Sequence, residues 1–281
     1  LGYLTANTKP DNDQVDLLRQ AVTSMSPADA AGHLDLFASW AQSVNVPAIM
    51  KPRFLRHALR VLGDHEHPAA EAARARLQLY DELVQEVVLV TEIDGPPEVV
   101  ADEPFGIRLS LRYTAALERE AGGFAKYLQN QVYAPATGAQ VDYRDRFEEQ
   151  IREALYEGYE VDGIHFHRPE VEDRPVGVHG WMEKPLAYLV VRARDAAVDR
   201  IQSLHLDMDF SDGQGTVLLP VQSAVVLLDA RGEDPQARPY EKLEVEQVLD
   251  AREWKDQKLL LEVRARGRGV LPELAALIPG H

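Results

Sequence analysis

The chain has 281 residues, of which 45% are apolar and 27% charged, with a formal net charge of −16 and no cysteine. That length points to two or three domains with enough core to need no covalent staple. The charge argues against non-specific binding of nucleic acid, a polyanion that demands a clustered basic surface, although net charge does not fix where the basic residues lie, and the missing cysteines remove disulfides, thiolate zinc sites and cysteine nucleophiles together.

Residues 11–86 read as four helices. The first, from about Asp13, sets Val15, Leu18 and Val22 at helical spacing. The second starts with Ser26 as N-cap, Pro27 at the first helical position and Asp29 completing a box-like pattern, followed by Ala30, Leu34, Phe37, Trp40, Ala41 and Val44. Pro52 opens a third helix with Phe54, Leu55, Ala58, Leu59 and Leu62 inward, ended by Gly63. Pro68 opens a fourth with Ala73, Leu77, Tyr80 and Val84. Short connections imply antiparallel packing, a helical bundle or cap. No stretch approaches the roughly 18 apolar residues of a membrane span, so none is expected within the chain.

Near Val87 the hydrophobic period changes from 3.6 to 2. Phe105, Ile107, Leu109, Leu111 and Tyr113 alternate with Arg108, Ser110 and Arg112, a strand with one wet face. Ala115–Gln131 has helical spacing broken by Gly122-Gly123, and Asp142 caps a helix through about Gly158. Further strands are expected at 159–167, 176–182, 186–194, 201–210, 216–222, 224–229, 243–250 and 258–266, with a hairpin turn at Ser211–Gly215, a polar linker at 231–239 and a last helical turn at Leu271–Leu277. Many short strands without intervening helices favour antiparallel pairing. The expected fold is α+β: an N-terminal helical segment (11–86), a β-sandwich-like unit with a helical insertion (87–175), and a second such unit (176–281) that includes the start of a possible third from about 240.

Four sets of residues are candidates for chemistry. His165 and His167 are two apart on a strand and share a face, as a metal would require, with His179 as a third ligand. The bland alternative is a wet strand face with Ile164 and Phe166 buried. Asp207, Asp209 and Asp212 beside Gly213 invite calcium, which prefers oxygen ligands, but lack the EF-hand spacing; a hairpin's exposed face and turn carry the same residues. Asp64-His65-Glu66-His67 reads as an interhelical loop with a capping end rather than a metal site. Trp181 and Trp254 could stack on a sugar, or belong to the core. Nucleophile elbows, phosphate loops and dinucleotide fingerprints are missing.

The run Val99-Val100-Ala101-Asp102-Glu103-Pro104-Phe105-Gly106-Ile107-Arg108-Leu109 and the Leu259–Arg266 strand resemble strands of tandem immunoglobulin-like modules in bacterial extracytoplasmic proteins. The cysteine pair and tryptophan spacing of antibody domains are lacking, and the resemblance assigns no functional residue. With Leu1-Gly2-Tyr3 at its start, the chain is expected to be a processed or excised piece. The function expected is a non-catalytic interaction or structural module, the soluble part of a larger envelope-associated bacterial protein, with a protein partner, no nucleic acid and no cofactor. The alternative is a metal-binding protein or metal-dependent enzyme using His165 and His167.

Overall fold

The computed structural model describes residues 12–41, 46–62, 67–120, 123–129, 132–134, 139–177, 180–213, 215–232, 238–255 and 258–271. In chain order the elements are α1 (Asn12–Thr23), α2 (Pro27–Ala41), a 3-10 turn (Ala48–Met50), α3 (Lys51–Leu62), α4 (Pro68–Gln85), β1 (Val87–Asp94), β2 (Glu98–Val100), β3 (Pro104–Thr114), α5 (Ala115–Glu120), a second 3-10 turn (Ala125–Leu128), β4 (Val132–Ala134), β5 (Ala139–Val141), α6 (Tyr143–Leu155), β6 (Tyr159–Phe166), β7 (Arg174–Pro175), β8 (Trp181–Ala193), β9 (Arg200–Ile201), β10 (His205–Ser211), β11 (Thr216–Gln222), β12 (Val226–Leu227), β13 (Asp229–Arg231), β14 (Tyr240–Lys255) and β15 (Lys258–Gly269). The chain is thus α+β, helices first and mostly antiparallel strands after. No described helix is long and apolar enough to cross a membrane.

Local chemistry marks the helix starts. Ser26 Oγ accepts the Asp29 amide at 3.3 Å and donates to the Asp29 carboxylate at 2.6 Å, the box read from the sequence. His67 caps α4: its Nδ1 accepts the Ala69 amide at 3.2 Å, and its Nε2 meets Asp35 at 2.9 Å. Asp64–Glu66 lie outside the described residues. On α3, Phe54, Leu55, Ala58, Val61 and Leu62 face inward while Arg53, Arg56 and Arg60 stay exposed.

After α4 the chain passes through Glu86 into β1, and the change of period takes physical form. Val87, Leu89 and Thr91 turn inward; Val88 and Glu92 stay out. The main sheet runs β1-β3-β8-β6, all antiparallel, with β7 added to β8. β11 lies beside β1, joined by a parallel bridge from Leu89 to Ser223, and β10 pairs with β11 across the expected turn. The three-residue pair β2–β13 is a parallel ladder.

Opposite the apolar face of these strands sit α6 and the second 3-10 turn. Asp142 caps α6 by accepting the amides of Arg144 and Asp145 at 3.1 and 3.3 Å. Phe147, Ile151 and Leu155 are buried, and the helix packs on both β6 and β10. Tyr113 of β3 stacks on Phe124 at 4.2 Å between ring centres, and Tyr127 meets Tyr143 and Phe147 at 5.0 and 5.7 Å. One buried cluster runs from the helical segment through the sheet, so the two share a core.

Three expectations need correction. The strands expected at 176–182 and 186–194 are one strand, β8, running through Pro185. Leu109 pairs with Ala187 and Ser110 with Pro185, so Leu186 is an extra, bulged residue. The bulge tolerates a residue without an N–H and buries Lys184, Pro185, Leu186 and Ala187 in succession. Because β8 lies between β3 and β6, strands assigned to 87–175 and to 176–281 form one sheet, and Pro169–Pro175 connects within it. The helix expected over 115–131 divides into α5 and the 3-10 turn, separated by Gly123 at a φ of 85°, which favours glycine.

Candidate interaction surface

The aspartates singled out for calcium are occupied by donors of the protein itself. Asp207 Oδ2 accepts from Gln150 Nε2 at 2.9 Å, and its amide donates back to Gln150 Oε1 at 3.2 Å. Asp209 accepts from the Tyr143 hydroxyl and lies 3.5 Å from Arg146, while its carbonyl accepts from Tyr127 and Lys126 at 3.0 and 3.3 Å. Asp207 and Asp209 therefore do not form a wet hairpin face: α6 covers them. Burial, then the Asp209 hydrogen bond, pushes the Tyr143 hydroxyl pKa up; burial pulls the Lys126 ammonium down.

Asp212 is fully buried, with its Oδ2 accepting from Tyr80 at 2.6 Å and from Lys51 Nζ at 3.2 Å. Lys51 starts α3 and Tyr80 lies on α4, so this carboxylate joins two helices to the hairpin turn. Gly215, beside this lysine, has a φ of 126°, a backbone conformation that favours glycine.

His165 is exposed on β6, opposite Tyr188, and His167 is exposed just beyond the strand. Burial, then Arg174, lowers the His167 pKa. His179 lies outside the described residues. Among the described residues no group of three or more histidines and carboxylates could hold a metal ion. Trp181 is half-buried at the start of β8, opposite Thr114; the Trp254 side chain lies outside the description.

Other polar groups hold loops and faces in place. The Tyr113 hydroxyl donates to Asp173 at 2.6 Å, and Lys184, also buried, lies 2.5 Å from the same carboxylate, which pins the segment before β7. A cleft of about 380 Å³ opens between the helical segment and β11, lined by Pro52, Val84, Val88 and Pro220 and by the exposed Arg56 and Asp81.

The β14–β15 ribbon is different. Among the described strands these two pair only with each other. At about 3.3 Å per residue, the 16 residues of β14 reach about 50 Å. Its base is fixed by Asp94, whose Oδ2 accepts the Gly269 amide and the Tyr188 hydroxyl, both at 3.1 Å, with Arg108 and Arg268 nearby at 3.6 and 3.7 Å. Gly269 is required there: its φ is 104°, and a Cβ would lie 2.2 Å from the Pro239 carbonyl oxygen.

Register separates the ribbon's two faces. Glu244 pairs with Arg266, Glu246 with Arg264 and Val248 with Glu262 on one face; Val245 pairs with Ala265 and Gln247 with Val263 on the other, which Leu261 shares. Val245 and Leu261 are 44% and 52% exposed, so a largely apolar face stands in water. The sequence reading placed both strands but missed this surface. Its signal was present in the alternation of Glu244 and Glu246 with Val245, and of Arg264 and Arg266 with Val263 and Ala265. Compared with known proteins, the chain matches no family model and no curated protein.

Proposed function

We propose that the protein is a non-catalytic interaction or structural module, the soluble part of a larger envelope-associated bacterial protein, and that the β14–β15 ribbon is the surface that meets a protein partner. One observation carries this reading: the ribbon pairs only with itself among the described strands and exposes Val245 and Leu261 on one face. A lone two-stranded ribbon is marginal in water and gains most from a covering partner, and contiguous exposed apolar surface marks interaction sites. The internal engagement of Asp207, Asp209 and Asp212 supports the non-catalytic half. An immunoglobulin-like kinship of the β region belongs to the same proposal, supported by the antiparallel β1-β3-β8-β6 order; the envelope location rests on the sequence resemblance alone.

The test is a photo-activated cross-linking amino acid placed in the source cells at Val245 or Leu261, and separately at Glu160 or Arg112 on the wet side of the main sheet. The ribbon positions should yield a discrete cross-linked protein and the sheet positions none. Equal labelling at both, or none at the ribbon, refutes the proposal.

A further inference from the structure

We infer that the cleft between α3, α4, β1 and β11 binds a small zwitterion with an apolar body, of the class of apolar amino acids and their dipeptides. Arg56 takes its carboxylate and Asp81 its ammonium. The site is separate from the ribbon and goes beyond the interaction reading.

The opening lies where two sheets part. β1 is the edge of the main sheet, and β11 is the outer strand of the β10–β11 hairpin. Among the described residues only the bridge from Leu89 to Ser223 joins them. The lining residues Val87 and Val88 of β1, and Leu219, Pro220 and Gln222 of β11, all precede that bridge. Pairing fixes where their backbone groups point, because alternate residues of an antiparallel strand bond to the partner and those between face away. The Thr114 amide donates to the Glu86 carbonyl, so Val87 turns its N–H and C=O away from β3. The Ser223 amide donates to the Leu204 carbonyl, so Pro220 and Gln222 turn theirs away from β10. Two strand edges thus offer donors and acceptors on the side where they diverge. Proline is tolerated at 220 because the N–H it lacks belongs to this open edge.

The walls are held in place without a ligand. Tyr80, part of the lining, gives its hydroxyl to the buried Asp212, and the same carboxylate holds Lys51, the neighbour of Pro52. That network ties α3, α4 and the hairpin together around the cleft. Pro52, Val84, Val88 and Pro220 supply apolar surface, and Val88 is still 38% exposed. A volume of about 380 Å³ falls at the lower end of the roughly 300–1,000 Å³ of small-molecule sites, which are largely apolar with a few placed polar groups.

Charge selects the ligand. Arg56 on α3 and Asp81 on α4 both line the cleft, and neither makes an ion pair or a side-chain hydrogen bond with the rest of the chain. Arg60, one turn further along α3, is by contrast bound by Asp16 at 2.6 and 2.8 Å. Two opposite charges that share a cleft and do not pair with each other match a molecule that carries both. A simple anion such as a fatty acid would meet Arg56 but bring its charge towards Asp81, and a simple cation would do the reverse; such like-charge approaches cost binding energy. Inorganic phosphate would in addition leave the apolar walls uncovered. The Gln222 side chain, exposed and without a partner, adds one more donor and acceptor.

The experiment titrates the full chain with L-leucine, L-phenylalanine and leucyl-leucine, by calorimetry and by amide chemical-shift mapping. At least one of the three should bind with a Kd below about 1 mM and should move the amides of Val88 and Gln222. N-acetyl-leucine, which lacks the ammonium, and leucinamide, which lacks the carboxylate, should each bind about tenfold or more weakly, having lost one charge-assisted contact. R56Q and D81N change exposed side chains without internal partners, so both should keep the parent Tm and lose about tenfold or more in affinity. R60Q, on the same helix but engaged with Asp16, should bind as the parent does. No binding of any of the three by about 10 mM, shifts confined to other parts of the chain, a singly charged analogue that binds as well as its zwitterion, or a loss in R60Q equal to that in R56Q overturns the inference. Each of those results leaves the ribbon cross-linking, and the interaction reading with it, untouched.

Discussion

Replacing Asp212 with asparagine removes the charge that meets Lys51 and Tyr80 at the junction of helices and sheet. The side chains of Lys51 and Asp212 are 7% and 0% exposed, so water compensates neither. Removing one member of a buried pair costs about 3–5 kcal/mol, since the other charge is left buried alone. Part of that is the loss of a charge-assisted bond from Tyr80, worth about 1.5–3 kcal/mol. With an unfolding entropy of about 2.1 cal/mol/K per residue over 281 residues, about 3 kcal/mol lowers Tm by about 5 °C. Calorimetry on D212N measures the loss, and amide exchange should quicken most in α3 and α4. The double variant K51M/D212L, which removes both charges and keeps apolar volume, should recover the part of the loss that comes from the stranded lysine but not the part due to the Tyr80 bond, whose acceptor is still missing. A D212N loss under about 1 kcal/mol, or a double variant whose loss is the sum of the two singles, would refute the buried-pair argument.

Four further outcomes follow from other parts of the structure. Tyr143→Phe should lower Tm by about 3 °C, because it removes a charge-assisted donor to Asp209 that Arg146, at 3.5 Å, does not replace. Gly269→Ala, strained by its φ of 104° and by the Pro239 carbonyl, should raise proteolysis within the ribbon by about tenfold or more while the body's Tm barely moves. His57 has its pKa held below the usual 6.5 by burial, then by Arg53 and Arg60; its stabilising contribution is present above pH 6.5 and is lost as pH falls through the lowered value, so acidification should lower Tm less in H57Q than in the parent chain. Chelator treatment should leave the melting curve unchanged, and H165A and H167A should have the metal content of the parent chain; a metal lost in both variants would revive the histidine reading.

What was legible in the sequence was local. The Ser26 and Asp142 caps act within three residues of themselves, and the Gly213–Gly215 turn, with its glycines at positive φ, fixes a hairpin whose partners are neighbours in the chain. What was not legible depends on distant chain. Pro185 reads as a strand break because the Leu186 bulge that accommodates it is defined by β3, far earlier. Asp207 and Asp209 alternate with buried residues and so read as a wet face; the helix that covers them ends fifty residues before. Asp212 reads as turn chemistry because its partner Lys51 is 161 residues away. The ribbon is the converse case. Its alternation was plain, but no local pattern distinguishes a strand that joins a sheet from one that stands alone.

Hydrogen exchange of the ribbon amides is the most direct test that this surface waits for a partner. In dilute purified protein, amides of Glu244–Val248 and Leu261–Arg266 should exchange orders of magnitude faster than those of β3 and β8, since only one ladder and no core holds them. They should slow sharply when the partner covers the face. Ribbon amides as protected as β3 in dilute solution would contradict the account, as would ribbon exchange that no cross-linking partner alters.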